Sequence, residues 1–125
     1  MAQLKLYYDS NDVTPITSFT GEYDWLSNFY PCDVAINVHF DTEYDVHFTS
    51  SEAAFQACKC VNYEDFKKFE KLGPKEAKAL GRKVKLRDDW ETAKLLVMYQ
   101  VLLNKFINNI DLANKLIDTY PKQLI

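Results

Sequence analysis

Several features are scarce in this sequence, and each scarcity excludes a class of protein. Glycine and proline occur only three and four times among 125 residues, which excludes collagen-like and low-complexity chains. No apolar run is long enough to span a membrane, and no basic start followed by an apolar stretch marks a secretory signal. We therefore expect a cytoplasmic protein with a single domain over residues 1–125, in which residues 1–15 form a loosely patterned start.

Positive charge and cysteine are also limited. The formal net charge of −3 excludes tight, unspecific binding to nucleic acid, although it leaves room for a local basic pocket that holds a phosphate. The odd count of three cysteines, Cys32, Cys58 and Cys60, fits a reducing compartment better than a disulfide framework. Cys58-x-Cys60 is not a metal spacing, and the isolated His39 and His47 do not complete a metal site.

The sequence does have apolar residues, at 47% of the chain, and their spacing predicts the elements. Ile16 to Phe19 is a candidate short strand. A hairpin is predicted from two alternating runs, Val34, Ile36, Val38 and Phe40, then Tyr44, Val46 and Phe48, joined by a turn at Asp41-Thr42-Glu43. The period then becomes helical, and the chain is predicted to fold as a small α+β domain that is richer in helix than in strand.

Five helices are predicted after the hairpin. The first runs from about Ser51 to Cys60, capped through Thr49-x-x-Glu52 or by Ser50 or Ser51. The second begins at Asn62, and the third begins at Pro74 and has Gly81 as its C-terminal cap. A long fourth helix is capped by Asp88 or Asp89. The last helix runs from Asp111 to Thr119.

A polar stripe on the first predicted helix is the leading candidate for chemistry. Glu52, Gln56 and Lys59 fall on one face at helical spacing, so a carboxylate, an amide and an amine lie together. Such a stripe is more often a solvated surface. Here, however, the opposite face carries mostly small residues, so the polar stripe could be the side of the helix that packs against the rest of the domain.

Two further clusters add polar and aromatic groups. Gly21 to Pro31 combines aromatic with short polar side chains in a turn-rich loop, which suits either base stacking and hydroxyl binding or simple anchoring in the core. Arg82 and Arg87 are candidate forks for a phosphate, and the alternative for each is an ordinary surface ion pair.

Together these pieces resemble the NADAR (YbiA-like) family. The matching residues are Leu26-Ser27-Asn28-Phe29, Ser51-Glu52, Phe55-Gln56-Ala57, Lys59, Gly81-Arg82, Leu86-Arg87, Asp89-Trp90, Lys94, Val97-Met98, Leu102 and Lys105-Phe106. Their order and spacing agree with the family from about Phe19 to Leu124. No single piece is specific, but the combination is.

The resemblance implies an N-glycosidase that cleaves the bond between a base and a ribose phosphate or ADP-ribose. Some members are linked to ribosylaminopyrimidine phosphates of the riboflavin pathway, and others remove ADP-ribose from guanine in nucleic acid. The resemblance implies that Glu52 and Lys59 are catalytic, with Lys59 attacking the anomeric carbon to form a Schiff base. Alternatively, Glu52 activates a water molecule while Lys59 binds phosphate. No cofactor and no metal are implied.

The remaining positions of the motif are expected to bind the substrate. They are Ser27 and Asn28 at the ribose hydroxyls, Phe29 or Trp90 (with Tyr23 and Trp25 as further candidates) against the base, Gln56 as an orienting group, and Arg82 and Arg87 at phosphate.

The match departs from the family at the end of the chain. Family members continue past the position of Ile125 with a segment rich in Trp, Gly and Asp and a closing helix, so this sequence is expected to be a short variant or a fragment. Two rival classes therefore stay open: a non-catalytic module that binds ADP-ribose or a related nucleotide, and a pure interaction domain.

Overall fold

The computed structural model describes residues 13–124, which form an antiparallel hairpin and a set of helices. The elements are a 3-10 helix at Gly21–Leu26, strands β1 (Val34–His39) and β2 (Glu43–Phe48), and helices α1 (Ser51–Ala57), α2 (Tyr63–Lys67), α3 (Pro74–Gly81), α4 (Trp90–Asn108) and α5 (Ile110–Asp118). The predicted α+β class is confirmed. No helix within the described range has both the length and the apolar character needed to cross a membrane.

The predicted hairpin is present and has a single buried face, as expected. Val34 lies opposite Phe48 and Ile36 opposite Val46, and all four side chains are buried. The intervening side chains of both strands point away from the core, as the alternation required. The predicted strand from Ile16 to Phe19 is wrong, because the structure has only an isolated parallel bridge between Ile16 and Leu124 there.

Helix α1 begins where one of the predicted caps lies and ends earlier than predicted. Ser50 is the cap, because its hydroxyl accepts a hydrogen bond from the Ala53 N–H at 3.1 Å. The Thr49 alternative is wrong, since the Thr49 hydroxyl donates instead to the Leu72 carbonyl. The helix stops at Ala57 rather than near Cys60, because Cys60 leaves the helical path to form an antiparallel bridge with Leu86.

Helices α2 and α3 follow as a pair of short elements. Asn62, predicted as the start of α2, caps that helix by accepting from the Asp65 N–H at 2.9 Å, and Pro74 takes the first turn of α3 as predicted. Gly81 is not the C-terminal cap that the sequence predicted. It lies inside the last turn of α3, and Arg82 after it retains right-handed helical angles.

The long helix α4 closes the core. Asp89 occupies the predicted cap position, but its side chain makes no capping bond and pairs with Arg87 instead. Trp90 and Val101 are buried, whereas the apolar side chains Leu95, Leu96, Tyr99, Leu103 and Ile107 are exposed on the outer face. The last helix, α5, lies within one residue of its predicted bounds at each end.

The core lies between the inner face of the hairpin and the helices α1 and α4. Three alanines of α1, Ala53, Ala54 and Ala57, are fully buried. Their small side chains let neighbouring helices approach α1 closely. As a result, this short helix sits in the middle of the domain, and its polar residues are held by the elements around it.

Candidate functional site

A carboxylate and an amide form the centre of the candidate site. The Gln56 Nε2 donates a hydrogen bond to Glu52 Oε2 at 2.6 Å, one turn apart on α1. Gln56 is 6% exposed, while Glu52 is half-buried and reaches the surface. The amide therefore fixes one carboxylate oxygen and leaves the other free to meet a ligand.

Gln56 is packed against the backbone of α3. A Cβ atom added at Gly81 would lie 2.7 Å from Gln56 Cδ, so only glycine leaves room for the amide. Gln56 Oε1 is buried, and among the described residues it has no hydrogen-bond partner. A buried acceptor without a partner is uncommon, and it gives this amide one unused bond at the edge of the site.

Lys59 brings an amine to the same place. It lies just beyond the end of α1, where its N–H donates to the Gln56 carbonyl at 3.2 Å in a tighter turn. Burial of the side chain lowers the pKa of the Lys59 ammonium, Glu52 opposes that shift, and Arg82 adds to it. The electrostatic coupling of Lys59 to both residues brings three of the predicted site residues together.

Trp90 forms an aromatic wall beside the amine. The Lys59 Nζ lies 5.9 Å from the centre of the Trp90 ring, and the Phe55 ring lies 5.1 Å from the same indole. Trp90 is only 6% exposed, so its surface is already covered by these neighbours. This burial favours a role as a wall over a role as a stacking platform for the base.

The segment from Ser27 to Phe29 adjoins the start of α1. The Asn28 carbonyl accepts a hydrogen bond from the Glu52 N–H at 2.9 Å, which ties the two parts of the motif together. The Asn28 side chain is directed toward Met98 of α4, and the Ser27 hydroxyl accepts from the Phe29 N–H. The Phe29 ring is 41% exposed and is the most accessible aromatic surface of the segment.

Of the other two aromatic candidates for the base, Trp25 serves the core. It is 4% exposed, and its Nε1–H donates to the Glu22 carbonyl at 3.0 Å. Its ring meets Phe106 edge-on. The Tyr23 hydroxyl accepts from Lys122 Nζ at 3.1 Å, so Tyr23 contacts the residues that follow α5.

The predicted residue Arg87 is engaged elsewhere. Its guanidinium binds both carboxylate oxygens of Asp89, at 2.6 and 2.9 Å, and reaches the Cys58 carbonyl at 3.5 Å. It lines a separate groove of about 450 Å³ that none of the other predicted site residues lines. Within the structure Arg87 is thus the partner in an ion pair, the alternative that the sequence left open.

The nearby thiols are poor nucleophiles. Burial raises the pKa of Cys58 to about 12 and that of Cys60 to about 11, so both remain protonated at neutral pH. Free cysteines in such surroundings behave as small apolar residues. The amine of Lys59 is therefore the better nucleophile in this part of the domain.

The sequence interpretation assigned no role to Lys105. Its side chain is fully buried and donates to the carbonyl groups of Trp25 and Ser27, directly beneath the segment that carries Asn28. Its spacing could have predicted this burial, because Lys105 follows Val97 and Val101 at intervals of four residues on the inward face of α4.

An acid, an amide and an amine gathered on a small α+β domain fit the class of proteins that the motif suggested. The NADAR domain model matches residues 15–125, and the chain belongs to that family. An N-glycosidase from Nostoc punctiforme is 30% identical over 109 residues, which cover 82% of this chain and 65% of that protein. The solution structure of Escherichia coli YbiA matches with a TM-score of 0.72 and 28% identity, over 90% of this chain and 66% of YbiA. The chain thus spans about two thirds of the length of these relatives.

Proposed function

We propose that this protein is an N-glycosidase that cleaves the bond between a base and a ribose phosphate or ADP-ribose. The observation that carries the proposal is the joint presence of Glu52, held by Gln56 at 2.6 Å, and of Lys59, whose pKa is lowered by burial. A nucleophilic lysine needs a neutral amine, and a nearby carboxylate can carry the proton that the amine releases. Family membership and the relative named as an N-glycosidase support the same activity.

The proposed reaction uses the two side chains in turn. Glu52 takes a proton from the Lys59 ammonium, and the freed amine attacks the anomeric carbon of the ribose. The bond from that carbon to the base breaks, its electron pair stays on the base nitrogen, and Glu52 delivers the proton there. The nitrogen joined to the sugar then passes a proton through Glu52 to the ring oxygen as the bond between that oxygen and the anomeric carbon breaks, which opens the ring to an imine on Lys59. Water hydrolyses the imine to release the sugar and restore the amine.

The substrate would enter between α1 and the Ser27–Phe29 segment. The exposed Phe29 ring offers a surface for the base, and the polar groups of Ser27 and Asn28 lie close enough to α1 to meet ribose hydroxyls. Arg82 is exposed and acts on Lys59 electrostatically, which suits a phosphate next to the sugar. We assign the protein to the cytoplasm because its unpaired cysteines suit a reducing compartment.

Two other proposals remain distinct from this one. Glu52 could instead activate water while Lys59 binds a phosphate, which gives the same products without an imine. The chain could also bind ADP-ribose or a related nucleotide without cleaving it. The exposed Phe29 ring and the exposed Arg82 are groups that such a binding module would use for a base and a phosphate.

The test is an activity screen combined with chemical trapping. The protein is incubated with an ADP-ribosylated guanine oligonucleotide or a ribosylaminopyrimidine phosphate, and release of the base is followed by chromatography. Borohydride added during turnover should reduce the imine and leave the mass of the opened sugar on the peptide that contains Lys59. Lys59→Arg keeps the positive charge but should abolish the adduct and the turnover. Lys67→Arg, at an exposed position on helix α2, is the matched control and should change neither.

The results separate the candidates. Turnover without an adduct, or normal turnover by Lys59→Arg, would replace the imine mechanism with the water mechanism. Binding of ADP-ribose without release of a base from either substrate would favour the binding module. Neither binding nor turnover would contradict both functions and leave an interaction domain.

A further inference from the structure

Lys105 is a buried cation without an acidic partner. Its side chain is fully buried on α4, one turn after Val101, and among residues 13–124 no carboxylate forms an ion pair with it. Moving an unpaired ammonium out of water is unfavourable unless hydrogen bonds replace the lost hydration. Burial accordingly lowers the pKa of Lys105. A methionine would fill the same space without burying a charge, so the reason for a lysine here must lie in the hydrogen bonds of its ammonium.

Two backbone carbonyl groups replace hydrogen bonds that the ammonium would make to water. The Lys105 Nζ donates to the Trp25 carbonyl at 2.7 Å and to the Ser27 carbonyl at 3.1 Å. The rings of Phe106 and Tyr30 lie 5.5 and 5.9 Å from the same nitrogen, so the ammonium also faces aromatic surface. Hydrogen bonds from a charged donor are roughly twice as strong as neutral ones. The ammonium therefore holds the end of the 3-10 helix firmly against α4.

The held carbonyls belong to the segment that contacts Glu52. The Ser27 carbonyl is part of the peptide group that leads into Asn28, and the Asn28 carbonyl accepts from the Glu52 N–H at 2.9 Å. A short path of hydrogen bonds and one peptide link thus connects Lys105 to the first turn of α1. Because peptide groups are planar, fixing the Ser27 carbonyl also restricts the direction of the next residue.

Lys105 cannot act on a substrate directly. Its side chain has no exposed surface, and at least two of the three N–H donors of the ammonium are engaged with the protein backbone. A second nucleophile at this position is therefore excluded, and any effect on the reaction must pass through the segment that it holds.

We propose that Lys105 is a positioning residue, whose ammonium sets the Ser27–Phe29 segment against Glu52 by holding the carbonyl groups of Trp25 and Ser27. The effect on the substrate rests on the proposed function, whereas the effect on the segment does not. Removing the ammonium leaves two carbonyls without a donor in a closed space, so the segment must move to reach water. That movement would loosen the hydrogen bond between Asn28 and the Glu52 N–H.

The test compares Lys105→Met with Val101→Ala. The methionine keeps the length and apolar stem of lysine without its donors, and Val101→Ala weakens the same face of α4 one turn earlier while the two hydrogen bonds from Lys105 to the segment are kept. Native-state amide exchange is measured for Glu52 and, as an internal reference, for the paired amides of β1 and β2. Binding of ADP-ribose and the kinetic constants kcat and KM on the cleaved substrate are measured alongside.

We expect Lys105→Met to speed exchange of the Glu52 amide tenfold or more relative to the hairpin amides, and to weaken ADP-ribose binding about tenfold with a larger change in KM than in kcat. Val101→Ala should change the protection of all these amides together. Equal protection of Glu52 in both variants would overturn the proposal. So would unchanged ADP-ribose affinity in Lys105→Met when the wild type binds.

A second variant covers the case in which Lys105→Met does not fold. If Lys105→Met does not fold, Lys105→Gln, which keeps an amide donor for one carbonyl, is compared with Val101→Ala in the same way, and the same outcomes decide. If neither variant folds, Lys105 serves the core rather than the site, and the proposal is wrong. A wild type that neither binds nor cleaves would contradict the proposed function alone, because the exchange experiment still reports on the segment.

Discussion

Gly81→Ala is expected to destabilise the protein, although alanine is the better helix former. Gly81 lies inside α3 with ordinary helical angles, so its backbone does not require glycine. What requires glycine is the Gln56 amide, because the new Cβ would lie 2.7 Å from Gln56 Cδ and 3.3 Å from Gln56 Cβ. Gln56 is buried and tied to Glu52, and it therefore cannot swing into solvent to make room.

The size of the effect follows from the bond that must break. A hydrogen bond to a charged group contributes about 1.5–3 kcal/mol. Against this, alanine gains up to about 1 kcal/mol over glycine in a helix interior, and less in a last turn. We therefore expect Gly81→Ala to lower the free energy of unfolding by about 1–2 kcal/mol, which moves the urea midpoint by about 1 M for a slope of about 1–2 kcal/mol per molar.

Urea unfolding on two backgrounds isolates the cause. In Gln56→Ala protein the space beside Gly81 is open, so the added methyl group of Gly81→Ala should be neutral or stabilising there. The sign of the effect would then depend on residue 56, a coupling that a double-mutant cycle measures. Gly73→Ala serves as a control, since its Cβ meets only the exposed Glu76 carboxylate. An equal cost of Gly81→Ala on both backgrounds would refute the packing argument.

Three further predictions concern the proposed reaction. Glu52→Gln should fold and lose about a hundredfold to ten-thousandfold in turnover, because its charge and proton transfer are gone, and an unchanged rate in a folded variant would remove Glu52 from the mechanism. The proton that Glu52 delivers to the base comes from the Lys59 ammonium, so turnover should fall with pH as Lys59 loses that proton to solvent; since Arg82 lowers that pKa, Arg82→Ala should raise it and move this falling limb of kcat/KM to higher pH, and a shift to lower pH would contradict the assignment. Cys58→Ala should retain turnover, because a thiol with a pKa of about 12 supplies no thiolate near neutral pH, and a large loss would point to the thiol instead.

The fold was largely predictable because its elements obey local rules. Alternation gave the hairpin, and the residues that cap or open α2 and α3 were readable directly. The errors occurred where distant contacts decide. The end of α1 depends on the bridge between Cys60 and Leu86, and the supposed strand at Ile16 has a partner only near the end of the chain.

The candidate site was predictable in part for the same reason. Glu52 and Gln56 share a face because both lie on one helix, so their spacing alone places them together. Lys59 lies beyond the end of that helix, and its closeness to Arg82 comes from the packing of α1 against α3, which no local pattern contains. The role of Gly81 was misjudged because a glycine at the end of a helix is usually a cap, whereas here a buried side chain from another helix fills its place.

The position of Glu52 is determined by three different elements. The Asn28 carbonyl accepts from its N–H, and the Gln56 amide donates to its carboxylate. That amide in turn fits beside α3 because Gly81 has no side chain there. A catalytic group must be held to within fractions of an ångström, and a helix of only seven residues is too short to provide that rigidity alone. The buried alanines of α1 address this by letting the neighbouring elements approach closely enough to make these contacts. The polar stripe on α1 thus gains its order from its surroundings, so substitutions on α3 and α4 should affect the proposed reaction without touching the substrate.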